Sequence, residues 1–219
     1  MPEITGIIIA GGRASRLGQS KPLVRVGGKL MLARIAEALG KVCDETVLVV
    51  RTDQDDAVAD TALALQMHVV SDNFDDVGPF GGIEAGLRAT ATDLAFVTGA
   101  DHPFVSHALI SALCELSDGY DAVVPEIGDL LQPLQALYRT SLADDIAPAI
   151  RSGQRSPMNF LRGLVESKRA LVYSEANARA LDSDLRAFID VDTTDDLTWA
   201  RGMLKKSEVI RPDIRGTGI

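Results

Sequence analysis

The densest chemistry in the sequence lies between Ile9 and Pro22, in the run Ile-Ala-Gly-Gly-Arg-Ala-Ser-Arg-Leu-Gly-Gln-Ser-Lys-Pro. Glycines let backbone N–H groups approach an anion closely, and the cations Arg13, Arg16 and Lys21 can neutralise phosphate oxygens. A loop of this composition suits an oligophosphate. Two common phosphate loops do not fit it. A Walker A loop needs Gly-Lys-Ser/Thr, whereas Gly18 is followed by Gln19; the dinucleotide fingerprint G-x-G-x-x-G fails because the glycines stand at 11, 12 and 18. The bland alternative is a glycine turn with solvated cations. Against it stands the position of the loop, directly after the apolar, strand-like run Ile4–Ile9.

Acidic groups that could face such a ligand recur downstream. Asp101 follows another apolar run, in Thr98-Gly99-Ala100-Asp101-His102-Pro103-Phe104. Asp190 and Asp192 are two apart, so on a strand both would face one side; they read either as approaching the same ligand as Asp101 or as an exposed strand end capping the last helix. His102 could touch a phosphate or stand behind Asp101, while His68 and His107 read as structural or surface residues. Arg155, in the turn Gly153-Gln154-Arg155, reads equally as a phosphate contact and as a surface cation. The acidic clusters around Asp53–Asp56 and at Asp75-Asp76 read as solvated loop charges, and Trp199 as a packing residue.

The segments that carry these residues alternate in character. Strand-like runs at 4–9, 46–50, 67–70, 94–98 and 121–124 are separated by helix-like ones at 30–39, 54–65, 82–89 and 106–116, with Gly40 as a C-cap and Ser106 as an N-cap. This rhythm predicts an α/β fold, a single-domain three-layer α/β/α sandwich on a mostly parallel sheet, with its ligand beyond the carboxyl ends of the strands. The second half is less regular: a strand at 134–138, helices at 141–150 and 157–164, a final strand at 187–191 and a last helix at 195–204. The domain is expected to span 1–204, and residues 205–219 to form a loosely docked C-terminal tail.

Composition narrows the function classes. The 219 residues include 31 acidic and 22 basic ones, a net charge of −9, which argues against a general binder of nucleic-acid backbones. Cys43 and Cys114 are too few for a disulfide scaffold and read as buried small hydrophobes. No apolar run approaches the ~18–20 residues that span a bilayer, so the expected compartment is the cytoplasm.

The first loop resembles the nucleotidyltransferase signature L/I-A-G-G-x-x-x-R-(M/L)-G-…-K, and within that group the molybdenum cofactor guanylyltransferases of the MobA type. The resemblance extends along the chain. Gly78-Pro79-Phe80-Gly81-Gly82-Ile83 is similar to the family's G-P-x-(A/G)-G segment, and Asp72 ahead of it matches a nucleotide-contacting aspartate. The Asp101 stretch, then Gln132-Pro133-Leu134-Gln135-Ala136-Leu137-Tyr138, Ser152-Gly153-Gln154-Arg155-Ser156 and Phe188-Ile189-Asp190-Val191-Asp192-Thr193 follow in family order. Ala-Gly-Gly rather than Ala-Ala-Gly in the first loop favours the guanine-using branch over the related cytidylyltransferases. The chain departs from the family at Ser20-Lys21-Pro22-Leu23, where many members have Asp-Lys-Gly-Leu, and at Val49-Val50-Arg51-Thr52, which lacks an asparagine often found near the base.

The resemblance implies a Rossmann-like fold of the nucleotide-diphospho-sugar transferase type. It implies transfer of GMP from GTP to the terminal phosphate of molybdopterin, with release of pyrophosphate. Arg16, Lys21 and Asp101 would be catalytic; Ile9, Ala10, Gly11, Gly12, Lys21, Asp72, Gly82 and Asp101 would bind nucleotide, the loop N–H groups from Ala10 to Gly12 directly; Asp101 would hold Mg²⁺. The implied partners are GTP and molybdopterin as substrates and, transiently, a molybdenum insertase or molybdoenzyme chaperones, with no nucleic acid and no membrane. The alternative is a cytidylyltransferase or sugar-1-phosphate nucleotidyltransferase of the same fold. A noncatalytic nucleotide sensor or a dehydrogenase is served less well: the latter needs the absent G-x-G-x-x-G, and the former has no need of Asp101 together with Lys21.

Overall fold

A computed structural model describes residues 2–10, 20–52, 56–74 and 76–209, with side chains up to 204. Gly11, Gly12, Arg13 and Arg16 of the first loop lie outside the described residues. The chain runs β1 (Ile4–Ile9), β2 (Arg25–Val26), β3 (Lys29–Leu30), α1 (Met31–Leu39), β4 (Glu45–Val50), α2 (Asp56–Ala64), β5 (His68–Ser71), α3 (Pro79–Arg88), β6 (Leu94–Gly99) and α4 (His107–Glu115). It continues with β7 (Ala122–Ile127), β8 (Leu130–Leu131), β9 (Gln135–Arg139), α5 (Ala143–Arg151), α6 (Pro157–Glu166), β10 (Ala170–Tyr173), α7 (Glu175–Leu181) and α8 (Thr194–Val209).

The main sheet has the order β10-β7-β9-β6-β1-β4-β5, with β8 paired to β7. Only β9 on that path runs antiparallel to its neighbours, so the expected mostly parallel sheet is present. β1 and β6 are buried at all six positions, as continuous apolar strands covered on both faces must be. Alternate side chains serve the two covers. Ile4, Ile8, Leu48 and Phe96 pack under α1, α2, α4 and α7, whereas Ile7, Ile9, Val49 and Val97 pack under α3, α5 and α6. These are the three layers. Glycine sets the closeness of α3: a Cβ at Gly86 would lie 2.5 Å from Ile7 Cγ2, and one at Gly82 3.0 Å from Ile9 Cγ2.

Several local expectations are corrected. The strand expected at 187–191 is a 3-10 turn at Arg186–Phe188 followed by extended chain, because Val191 bonds one backbone carbonyl, that of Asp101, rather than a ladder. The hairpin β2–β3 was not read from the sequence; its two-residue turn places Gly27 and Gly28 at φ +57° and +80°, which glycine tolerates and the strand twist favours. β8, β10 and α7 were also missed, each too short to carry a clear period. α8 runs Thr194–Val209, longer than the helix expected at 195–204, and its Leu197 and Ala200 join Val24, Val26, Met31 and Val191 in a small separate core.

Candidate active site

Three segments converge at the carboxyl end of β6. Beyond Gly99 the chain crosses the tip of β1, where Ala100 N donates to Ile9 O at 3.0 Å, and Asp101 follows. A Cβ on Gly99 would collide with Asp101 Oδ1 and approach His102 Nδ1 to 2.8 Å, so glycine lets both side chains fold back over the strand end. Lys21 enters from a 3-10 turn, Lys21–Leu23, in whose first turn Pro22 fits because its fixed φ suits a helix start. The third segment precedes α8. Val191 N donates to Asp101 O at 2.9 Å, and Thr193 and Asp196 cap α8 reciprocally: Asp196 Oδ2 accepts from Thr193 N at 2.8 Å and Thr193 Oγ1 from Asp196 N at 3.2 Å. This cap leaves Asp192 facing Lys21.

The side chains interlock. Lys21 Nζ donates to Asp101 Oδ2 at 3.0 Å and also to Asp192 Oδ1, while His102 Nδ1 lies 2.9 Å from Asp101 Oδ1. Burial alone would raise the pKa of the Asp101 carboxyl, but the His102 hydrogen bond and the Lys21 charge outweigh it and hold the group well below the usual carboxylate range. For Lys21 burial works downward, and the two carboxylates outweigh it, so its ammonium is held above its ordinary value. Asp101 and Lys21 thus favour each other's charged forms as an ion pair at 3.0 Å.

A cavity of about 430 Å³ opens beside this cluster along the sheet edge. Ile9, Val49, Val50, Pro79 and Leu134 supply apolar walls; Asp101 lies on its lining, as do Arg51, Asp72 and Asp76. Gly78, at φ +69°, starts α3 on the cavity rim, so the partly positive N-terminus of that helix faces the space. Asp72 Oδ1 accepts from Phe74 N at 2.9 Å, and a Cβ on Gly81 would lie 2.6 Å from the same oxygen. Asp101 follows β6 and Asp72 follows β5, with β1 and β4 between them. Three strand spacings separate the two carboxylates, roughly 14 Å along the edge. That span is of the order of a nucleotide from its α-phosphorus to the far edge of its base.

Of the residues singled out in the sequence, Ile9, Asp72, Gly82 and Asp101 line this one cavity, and Lys21 is bonded to Asp101. The Ala10 N–H donates to Val49 O at 2.9 Å, so in this structure that donor pairs with the sheet. Gly11, Gly12 and Arg16 fall outside the described residues. Asp190 and Asp192 do not share a strand face: Asp190 is exposed, whereas Asp192 reaches Lys21, and the capping of α8 falls to Thr193 and Asp196. Asp76, read as a solvated loop charge, lines the cavity, as does Arg51, which carried no role in the sequence. His102 is buried and touches Asp101.

The remaining residues have structural explanations. One Arg155 nitrogen, Nη1, donates to the carbonyls of Ile150 and Gln154. His68 and His107 are exposed. Trp199 is 42% exposed and meets Phe104 edge-on at 6.2 Å, so it packs at a rim rather than in a core. Cys114 is buried and Cys43 half-buried, with burial pushing the thiols up to about 11 and about 12 respectively. No helix among the described residues is long and apolar enough to cross a membrane.

A divalent cation fits this donor set. Two carboxylates reach one ammonium from separate segments, and a hard cation such as Mg²⁺ commonly takes one or two carboxylates plus substrate phosphates. Among the described residues no three metal-ligating side chains come together, so such an ion would be completed by oxygens of the nucleotide.

Comparison with known proteins agrees with this arrangement. The profile of the MobA-like NTP transferase domain matches residues 6–171. A protein of Pelotomaculum thermopropionicum named Probable molybdenum cofactor guanylyltransferase is 36% identical over 211 residues, covering 96% of this chain and 98% of its own. The crystal structure of molybdopterin-guanine dinucleotide biosynthesis protein A from Archaeoglobus fulgidus superposes with a TM-score of 0.75 at 28% identity, covering 92% of this chain and 99% of the other. A 4-diphosphocytidyl-2C-methyl-D-erythritol synthase from Anaerococcus prevotii shares the fold, with a TM-score of 0.69 at 18% identity over 93% of this chain and 96% of that one.

Proposed function

Because the chain belongs to the MobA-like NTP transferase family, we propose that it is a molybdenum cofactor guanylyltransferase: it transfers GMP from GTP to the terminal phosphate of molybdopterin. The observation that carries this reading is the Lys21–Asp101–Asp192 cluster at one end of a cavity as long as a nucleotide. A bond forms between an acceptor phosphate oxygen and the α-phosphorus of GTP. The bond from that phosphorus to the β-phosphate oxygen breaks, and pyrophosphate leaves.

No general base is required. A phosphate monoester whose second pKa is near ~6 is already mostly dianionic at neutral pH, so the protein contributes position and charge neutralisation. Lys21, fixed between two carboxylates, is placed to offset charge on the α-phosphoryl group as the bond breaks, and Arg16 takes the same role toward pyrophosphate. Gly11 and Gly12 bring backbone donors to the phosphates, and the α3 N-terminus adds a partial positive charge. His102 holds one Asp101 oxygen, and the other receives Lys21. Nucleotidyltransferases of this kind generally use a divalent metal; Mg²⁺, held by Asp101 and Asp192 together with substrate oxygens, would neutralise phosphate charge.

The substrate assignment is tested by pyrophosphate release with molybdopterin and Mg²⁺ and each of GTP, CTP and ATP. The expected result is release with GTP well above the other two, with a product heavier than molybdopterin by one guanylyl group. Preferential release with CTP would reject the guanine assignment and retain the fold and charge chemistry.

A further inference from the structure

Two cations have a claim on the same oxygens of the transfer cluster. Lys21 Nζ donates to Asp101 Oδ2 at 3.0 Å and to Asp192 Oδ1. The second Asp101 oxygen, Oδ1, already lies 2.9 Å from His102 Nδ1. A divalent cation bridging the two aspartates would therefore need the oxygens that Lys21 occupies. Two positive charges at one seat repel strongly in a partly buried site, so ammonium and metal exclude each other there.

The carboxylates sit on anchored backbone, whereas the ammonium can swing. Val191 N donates to Asp101 O at 2.9 Å, which ties the two aspartate segments together, and Asp192 N donates to Asp196 Oδ2 at 3.2 Å. Lys21 reaches the cluster on a flexible four-carbon stem, and its side chain keeps 23% of its surface exposed. Its departure would leave the two oxygens in place. Two carboxylates against one ammonium carry a single net negative charge, a weak attraction for a divalent cation; without the ammonium they carry the full double charge. Substrate phosphates are the groups able to draw the ammonium away, because they compete with carboxylates for the same donor.

We propose that Lys21 is a resident counter-ion that closes the metal site of the nucleotide-free protein and yields the Asp101 and Asp192 oxygens only when substrate phosphates take up its ammonium. Metal then enters with the nucleotide and not ahead of it. The displaced ammonium ends on the phosphates, where the transfer reaction needs it. This inference rests on the reading of the cluster as the phosphate end of the site, and it does not depend on which base the nucleotide carries.

The test measures binding of Mn²⁺ alone, from the paramagnetic resonance of the free ion, to nucleotide-free wild type, Lys21→Met and Lys21→Met/Asp192→Asn. Wild type should bind weakly, and Lys21→Met about tenfold or more tightly, because a like charge has left the seat. The double variant should lose that gain. Equal affinity in wild type and Lys21→Met would overturn the proposal, as would a gain that survives Asp192→Asn. A second measurement needs no variant to fold: the melting temperature of the wild type should rise far more with Mn²⁺ and GTP together than with either alone. A rise with Mn²⁺ alone as large as with both would overturn the proposal. A joint rise with CTP and none with GTP would support the counter-ion role and reject the guanine assignment, so the two failures are distinguishable.

Discussion

The two ends of the cavity are built differently. At the β6 end Lys21, Asp101, His102 and Asp192 come from three chain segments and bond one another, so the cluster is defined by mutual contacts. At the β4–β5 end Arg51 and Asp72 come from adjacent strand tips, and the sheet register brings them together. Under the proposed function the first end acts on phosphates, which every nucleotide has, and the second is left for a base, which differs among them. Rate and selectivity should therefore separate. The largest expected effect is at the β6 end: Lys21→Ala or Asp101→Ala should lower kcat by about 10²–10³-fold, the scale of losing one fixed electrostatic donor or charge, while the GTP to CTP ratio stays within severalfold. Steady-state pyrophosphate release with both nucleotides checks this. A collapse of the ratio in either variant would mean that the two ends act as one unit.

A smaller effect is expected from the opposite end through a residue that carries no charge. Gly81 packs against Asp72, and a Cβ there would stand 2.6 Å from Oδ1 and 2.9 Å from Oδ2. Gly81→Ala should push the carboxylate off its position without touching Lys21. The expected outcome is a KM for GTP raised roughly tenfold with kcat nearly unchanged, the pattern of lost ground-state binding. If kcat falls instead with KM constant, Asp72 contributes to the transition state and the division between the ends is wrong.

Legibility from sequence follows the same division. The parallel half was readable because β1 and β6 are continuous apolar runs ending in glycine and aspartate at the sheet edge, and because Lys21 and Asp101 stand in recognisable motifs. Arg51 and Asp76 were not readable as site residues. Nothing in Val-Val-Arg-Thr distinguishes a cavity cation from a solvated one; only the register of β4 against β5 brings Arg51 beside Asp72. Asp192 was half readable: the pair Asp190 and Asp192 was noticed, but the two-residue spacing implied a strand, and a 3-10 turn with a capped helix replaced it. Ala10 illustrates a related point. A residue at a strand's end can spend its N–H on the neighbouring strand, and sequence does not say where pairing stops.

The smallest expected effect is the dependence of turnover on acid. A carboxylate depressed in the folded protein stays ionised as pH falls through the usual range near ~3.9, and an ammonium raised above its ordinary value stays protonated as pH rises toward ~10. The Lys21–Asp101 pair therefore keeps its charges near neutral pH, and its contribution to stability is full above the ordinary carboxylate range and falls away progressively as pH drops from there toward the depressed Asp101 pKa. The acid limb of kcat/KM should then belong to the acceptor phosphate, bending near ~6 where that group gains a proton. Asp101→Asn should lower the whole profile and leave the bend where it is, within a few tenths of a pH unit. A bend that moves with Asp101→Asn would mean that protonation at the β6 end limits the reaction, and that the cluster is a titrating device rather than a fixed charge.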